Sequence, residues 1–427
     1  MSEPGKKVVV SMSGGVDSSF AAALLKEQGC EVVGMTMQIW DYSKFTDQHC
    51  ECFGSCCSLD DVDDARRVAE SLDIPFYVVN FEKQFENQVI DRFCDDYFNG
   101  RTPNPCVICN QVLKFEILLR RALELQADYL VTGHHAQLVE EEGALALRKG
   151  QDRNKDQTYF LYTLTQEQMK YVRFPLGGMT KEEVRGHASR LGLKVAEKAE
   201  SQDICFVPDG DYVRFLEEQR GSGAMDGEIV HVGGKVLGHH KGTYRYTIGQ
   251  RRGLGLSWPQ PLYVVGIDAK DCKVIVGEKE HLAESQCYVF DINWLIDPPE
   301  QPFEAACRIR YRHHEVPSLI TILDNGSARV DFKEPQSGVT PGQAAVFYDG
   351  DRVLGGEDVS SHVDARRTLV DCLVGELQCV GFGDLFAAGD HDRNGAGVGH
   401  LLEVRLAVVG LRELGPPLGT NSRRHGE

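Results

Sequence analysis

Three groups of residues could carry chemistry. Ser13-Gly14-Gly15-Val16-Asp17-Ser18 stands between a β-branched run, Lys7 to Val10, and an apolar helical pattern, Phe20 to Leu25. Two glycines allow a tight turn that brings backbone N–H groups against phosphate oxygens, and the serine hydroxyls and the helix N-terminus add to the pull on an anion. The Lys-Ser/Thr ending of a Walker loop is missing, so this is a different phosphate cradle. Asp17 is the natural partner for a magnesium ion, directly or through water. The second group is Asn104-Pro105-Cys106-Val107-Ile108-Cys109-Asn110, with Ser201-Gln202-Asp203-Ile204-Cys205-Phe206 far downstream. Cysteines at this spacing bind one metal or form a redox pair, and half of a structural zinc site is the plain alternative. The third is Cys50, Cys52, Cys56 and Cys57 beside His49. Its spacing could hold zinc, but two ligand pairs so close together strain a tetrahedron, and otherwise these are loop thiols.

The elements that must position these groups are legible in outline. Lys7–Val10, Glu31–Met37, Phe76–Val79 and Tyr129–Thr132 read as strands. Helical patterns lie between and after them: Phe20–Leu25, a helix capped by Ser58 and running to Leu72, Phe81–Tyr97, Gln111–Leu125 and Lys181–Leu191. Strand and helix alternate at βαβ lengths, which predicts a doubly wound α/β fold with a mostly parallel sheet. From Gly227 the texture changes to short β-branched runs separated by Gly and Pro, such as Glu228–Val232, Tyr263–Ile267, Leu319–Leu323 and Ala344–Phe347. That predicts a small central domain and then a β-barrel. The expected division is 1–210, 211–280 and 281–357, followed by a tail, 358–427, of no assigned role.

The 427 residues carry a net charge of −18 and 14 cysteines. The acidity excludes a protein that coats nucleic acid non-specifically, so any RNA contact must use local basic clusters and shape. Met1 to Lys7 is short and polar without a signal-peptide core, and no apolar run could span a bilayer. A cytoplasmic location and no membrane partner are expected, and in that setting clustered cysteines point to metal or thiol chemistry rather than disulfides.

The Ser-Gly-Gly-Xaa-Asp-Ser loop resembles that of the PP-loop ATP pyrophosphatases, which adenylate an oxygen and expel pyrophosphate. Further blocks make the resemblance specific. They include Gly100-Arg101-Thr102-Pro103-Asn104-Pro105, Thr132-Gly133-His134-His135, Asn154 to Tyr162, Ile204-Cys205-Phe206, Tyr246 to Gly255, Arg310-Tyr311-Arg312 and Thr340-Pro341-Gly342-Gln343. Over roughly Lys7 to Gly356 the chain is similar to the bacterial-type tRNA-specific 2-thiouridylases. The resemblance implies a PP-loop catalytic domain, a small central domain and a C-terminal β-barrel that helps to grip tRNA. It implies ATP against Ser11, Met12, Ser13, Gly14, Gly15, Val16, Asp17 and Ser18, with Met37 and Gly133 near the adenosine. Contacts to the target base would come from Asn104, Pro105 and Cys106. Further tRNA contacts would come from His134, Lys155, Asp156, Gln157, Arg310, Tyr311 and Gln343. Arg308, Arg310 and Arg312 alternate in sequence, so on a strand they would form one basic ridge.

The implied reaction converts the C2 oxygen of the wobble uridine into an AMP leaving group and replaces it with sulfur. In the family the Ile-Cys-Phe cysteine, here Cys205, carries a persulfide, and the cysteine before Asn, here Cys109, completes the pair. A sulfur-donor protein, a cysteine desulfurase or a sulfur relay, would supply them. The chain departs from many members in having Cys106 where they carry Asp. Cys106, Cys109 and Cys205 together would suit a [4Fe-4S] cluster with one open iron site. A PP-loop ligase or amidotransferase acting on a small metabolite explains the loop but not the cysteines. A non-catalytic tRNA-binding zinc module explains neither the loop nor its place after a strand.

Overall fold

The computed structural model describes residues 4–40, 59–199, 204–207, 209–221, 225–323 and 326–360. The Cys50, Cys52, Cys56 and Cys57 group with His49, the Ser58 cap, Ser201 to Asp203 and the tail beyond residue 360 lie outside them.

Five strands form a parallel sheet in the order β3-β2-β1-β4-β7: β1 (Lys7–Ser11), β2 (Glu31–Gln38), β3 (Phe76–Asn80), β4 (Tyr129–Val131) and β7 (Val172–Arg173). Side chains alternate across β1, so Val8 and Val10 enter one core while Val9 enters the other. Both faces are covered, as a parallel sheet requires. On the first face lie α1 (Val16–Glu27), α2 (Leu59–Ser71) and α8 (Lys181–Arg190). On the second, α3 (Glu82–Phe85) continues through a π-turn, Glu86–Ile90, into α4 (Asp91–Phe98). A further helix there starts as α5 (Pro105–Ile108), passes through a π-segment, Cys109–Leu118, and ends as α6 (Leu119–Glu124).

That last helix begins six residues before the predicted Gln111. The proline at its first position explains why: its fixed φ suits a helix start, and its missing N–H costs nothing there. The motif cysteines therefore sit on helical turns rather than in a loop, and Cys106 and Cys109, three residues apart, share a side of the helix.

A hairpin, β5 (Ala136–Glu141) and β6 (Ala144–Lys149), and a short helix, α7 (Gln166–Lys170), complete this part. Helix α9 (Tyr212–Arg220) leads to a mixed sheet of order β10-β11-β8-β9, made of β8 (Gly227–His231), β9 (Val236–His240), β10 (Tyr263–Asp268) and β11 (Lys273–Gly277). The barrel strands are β12 (Ala283–Val289), β14 (Phe303–Arg308), β15 (Val316–Ile322), β16 (Ala328–Ser337), β17 (Ala344–Asp349) and β18 (Arg352–Ser360). All pair antiparallel, and β12 against β18 closes the ring; the short β13 (Asn293–Trp294) pairs with β18.

Two features were not legible in the sequence. The β5–β6 hairpin joins the barrel sheet through Arg148 opposite Arg352. The expected basic ridge is not built either, because β14 ends at Arg308 and Arg310 and Arg312 lie beyond it in a turn. Arg308 is instead spent on the buried carboxylate of Asp156, 3.2 Å away.

Candidate active site

The glycine loop lies at the carboxyl end of β1, where ligands of such sheets bind. Ser11 ends the strand, and buried Met12 is pinned by its N–H to the Met35 carbonyl (2.7 Å) and by the Thr36 hydroxyl on its own carbonyl (2.7 Å). Gly14 has φ +73°, and a side chain there would fall inside the backbone of Asp61. The Ser18 hydroxyl accepts from the Ser13 N–H at 3.1 Å and holds the turn shut. Gly15 caps α1 without any side-chain acceptor, so the first N–H groups of Val16, Asp17 and Ser18 face the loop uncapped. Gly133 packs directly on this start: a Cβ there would lie 2.7 Å from the Ser18 nitrogen. Met37 comes near the edge of the sheet, but its side chain is buried in the second core.

Two lysines converge on the loop. Lys181 donates to both carboxylate oxygens of Asp17, at 2.6 and 2.8 Å, and His135 Nε2 lies 3.4 Å from the same group. Burial pushes the Asp17 carboxyl up, but His135 and Lys181 outweigh it and hold it below the ordinary range. Lys198 bonds the Gly14 carbonyl (3.2 Å), Asp61 (2.7 Å) and Asp64 (2.6 Å). Sequence reasoning missed Lys181, Lys198 and His135. A signal was present for Lys181. It is the first residue of α8, after the capping Thr180, and a cation at a helix N-terminus opposes the helix dipole unless something else holds it.

The cysteines occupy the second face. Cys106 is exposed, while Cys109 and Cys205 are half-buried and both pack against the second core. Phe206 anchors Cys205 by stacking edge-on to Phe85 and Phe93, with ring centres 5.5 and 5.0 Å away. Asn110 donates to the Phe160 carbonyl at 3.0 Å, and its own buried oxygen has no partner among the described residues. Among the described residues no three His, Cys, Asp or Glu side chains form a group that could hold one metal ion. Asp17, the expected magnesium partner, accepts from Lys181 through both of its oxygens.

The residues expected at RNA divide into two sets. Asp156 is buried, accepting from Thr158, Gly150 and Arg308. Gln157 accepts from the His135 N–H (2.9 Å), Arg310 donates to the Gly338 carbonyl (2.6 Å), and Gln343 donates to the Thr102 carbonyl (2.9 Å). These four side chains hold the scaffold. His134 lies near Phe115 and Phe174 with Nδ1 2.7 Å from the Thr132 hydroxyl, and burial keeps its ring neutral. Asn104 caps α5, Pro105 follows it, and Lys155 and Tyr311 remain partly exposed, Tyr311 with its ring 4.4 Å from Phe160.

Comparison with known proteins agrees with this construction. Residues 6–209 match the tRNA methyl transferase HUP domain, 214–278 the PRC-barrel domain of the same proteins, and 284–359 an aminomethyltransferase β-barrel domain. The tRNA-specific 2-thiouridylase MnmA of Geobacter metallireducens is 62% identical over 85% of this chain and 98% of its own. That of Geotalea uraniireducens is 58% identical over 85% and 97%. Among solved structures, a 4-thiouridine synthetase–RNA complex with bound ATP covers half of each chain at 20% identity, with a TM-score of 0.33. The HUP domain implies ATP use, and the chain belongs to the tRNA-specific 2-thiouridylase family.

Proposed function

We propose that the protein adenylates the C2 oxygen of the wobble uridine, position 34, of a tRNA and replaces it with sulfur, giving 2-thiouridine, AMP and pyrophosphate. The observation that carries this reading is the pairing of two features on one sheet. An uncapped helix start flanked by Lys181 and Lys198 stands at its edge, and Cys109 and Cys205 border the core on one of its faces.

The loop N–H groups and the two lysines receive the triphosphate, and the pyrophosphate leaves along them as the uracil oxygen attacks the α-phosphorus. Ser11 to Ser18 and Gly133 line the nucleotide, with Met37 giving it only backbone. A magnesium ion bound to the nucleotide would neutralise phosphate charge beside Asp17, whose carboxylate accepts from Lys181. The base leaves its stack to reach the pocket, which an anticodon loop allows at small cost. Asn104, Pro105 and Cys106 meet it, Lys155 and Tyr311 contact the neighbouring RNA, and the buried His134 supports the site from beside Phe115 and Phe174. Asp156, Gln157, Arg310 and Gln343 set the positions of those contacts.

Cys205 carries the sulfur as a persulfide. Its terminal sulfur attacks C2 and AMP departs. The Cys109 thiolate then attacks the Cys205 sulfur, the S–S bond to the base breaks, and thiolated tRNA leaves with a Cys109–Cys205 disulfide behind. A thiol reductant resets that disulfide, and a cysteine desulfurase or relay protein reloads the persulfide. In the alternative route Cys106, Cys109 and Cys205 would hold a [4Fe-4S] cluster whose open iron site would present the sulfur.

The test combines unmodified tRNA, ATP and a persulfide donor, with nucleosides read by mass spectrometry. One 2-thiouridine per AMP and pyrophosphate is expected. Cys205→Ala should still release pyrophosphate with tRNA present, leaving AMP on the tRNA, but give no thiolation. Adenylation of a small acid without tRNA would overturn the reading in favour of a ligase. Anaerobic iron reconstitution addresses the carrier. Thiolation by colourless protein, unchanged by Cys106→Ser, supports the persulfide. Iron-bound absorption that disappears together with activity in Cys106→Ser would replace it with a [4Fe-4S] cluster on Cys106, Cys109 and Cys205.

A further inference from the structure

From Gly100 to Cys106 the chain reads Gly-Arg-Thr-Pro-Asn-Pro-Cys, and Arg101 is its only charged residue. Gly100 ends α4 in the left-handed region (φ +74°), and a Cβ there would lie 2.9 Å from Cγ2 of Ile267 on β10. The Gly100 N–H returns to the Tyr97 carbonyl (3.0 Å) and the Arg101 N–H to the Asp96 carbonyl (2.8 Å). These two bonds make a Schellman stop, which an apolar contact between the positions of Arg101 and Asp96 commonly seals. Here an ion pair takes the place of that contact, with Arg101 Nε 3.1 Å from Asp96 Oδ1.

The same guanidinium faces a second carboxylate, Asp358 of β18, at 3.8 Å. Arg92 of α4 reaches both groups as well, Asp358 at 3.1 Å and Asp96 at 3.9 Å. The hydroxyl of the buried Tyr162 also bonds Asp358. The two carboxylates are only 16% and 15% exposed, and burial raises both carboxyls against the pull of the arginines. Four charges thus tie the end of α4 to the last barrel strand, and removing one leaves a half-buried charge without its partner.

Beyond Arg101 the segment is stiff. Pro103 and Pro105 have fixed φ, and Thr102 and Asn104 before them are confined to extended backbone. A tilt at Arg101 is therefore passed on to Asn104, the cap of α5, and to Cys106 and Cys109 on the helix that follows. We infer that Arg101 is a positioning residue for thiolation, fixing Asn104, Cys106 and Cys109 by tying the end of α4 to β18. The inference rests on the thiolation reading above. Arg101 acts through the segment it begins and not on the RNA.

The test compares Arg101→Met, Arg101→Lys, Asp358→Asn and the double variant Arg101→Met/Asp358→Asn in thiolation, in tRNA binding across a salt series and in ATP binding. A misplacement of about 1 Å can cost about 100-fold in rate, so Arg101→Met should lower kcat on the order of 10- to 100-fold while tRNA and ATP affinities stay within about twofold of wild type. Arg101→Lys keeps the charge but cannot span two carboxylates, and should recover only part of the rate. Asp358→Asn should lower kcat in the same direction, and the double variant should be no slower than Arg101→Met, since both changes break one link. Wild-type kcat in Arg101→Met would overturn the inference. So would a loss confined to tRNA affinity with the salt slope reduced by about 0.9, which would put Arg101 on a phosphate. Losses that multiply in the double variant would separate Arg101 from Asp358 and overturn it too. If Arg101→Met does not fold, as failure to bind ATP would show, Arg101→Lys and Asp358→Asn decide: lowered kcat at kept tRNA affinity supports the inference, and wild-type kcat in both overturns it. Wild-type protein that does not thiolate tRNA would instead fail the parent reading.

Discussion

Lys181→Met removes the cation from Asp17 and leaves a carboxylate that is 29% exposed beside a neutral side chain. Breaking a fully buried pair costs about 3–5 kcal/mol, because the remaining charge is stranded. The residual exposure of Asp17 and the nearby His135 reduce this to about 2–3 kcal/mol at pH 7. The pH dependence follows from the causes. In the native protein the Asp17 pKa is depressed, so its contribution is complete above the unfolded value and is lost only as pH falls through the lower folded one. In the variant burial is opposed by His135 alone and the folded pKa rises. The gap between wild type and variant should therefore narrow from pH 7.5 to pH 5. Urea unfolding at both pH values, followed by tryptophan fluorescence, measures it. A gap below about 0.5 kcal/mol at pH 7.5, the range of an ordinary surface substitution, would refute the reasoning, as would one that widens on acidification. Lys181→Arg keeps the charge and should recover most of the loss.

Gly133→Ala would place a methyl group 2.7 Å from the Ser18 nitrogen and 2.8 Å from the Asp17 backbone. Overpacking of this kind costs about 1–3 kcal/mol, so ATP affinity by calorimetry should fall roughly 5- to 150-fold. Gln343→Ala loses the bond to Thr102. At about 1 kcal/mol per hydrogen bond, kcat should fall roughly fivefold, with tRNA affinity nearly unchanged in a binding assay. Burial raises the Glu357 carboxyl to about 7. Its contribution is present below the unfolded pKa and lost as pH rises through about 7, so stability should decline by about 1–2 kcal/mol between pH 6 and 8. Glu357→Gln should flatten that slope in chemical denaturation.

The parallel sheet was legible because β-branched runs alternate with helical patterns at regular lengths, and the glycine loop because its residues stand between β1 and α1. Several strands of the central sheet and barrel could be read, but β9 of the sheet and β12 and β18 of the barrel could not. Each mixes charged or glycine residues into the run, as in Arg-Val-Leu-Gly-Gly-Glu-Asp-Val-Ser of β18, and is recruited by its partners rather than by its own propensity. The cysteine motifs were visible as chemistry, but not their helical setting, since a proline reads equally as a breaker and as a helix start. The partners of the glycine loop were not legible, because Lys181 and Lys198 come from segments more than 160 residues away in sequence and only the position of Lys181 at a helix start hinted at a role.

The turn at Thr340–Gln343 has a consequence for how this chain can be taken apart. The Pro341 carbonyl accepts from the Thr102 N–H (2.8 Å), Gln343 donates back to the Thr102 carbonyl (2.9 Å), and any side chain at Gly342 would press on Thr102. The barrel thus grips the strand of chain that delivers Cys106 and Cys109, and the β5–β6 hairpin returns the favour by extending the barrel sheet. Grafting a barrel from one relative onto the nucleotide domain of another would misplace the thiols unless residues 100–104 and 340–343 travelled as one cassette. An isolated nucleotide domain should bind ATP while its cysteine helix starts unsupported.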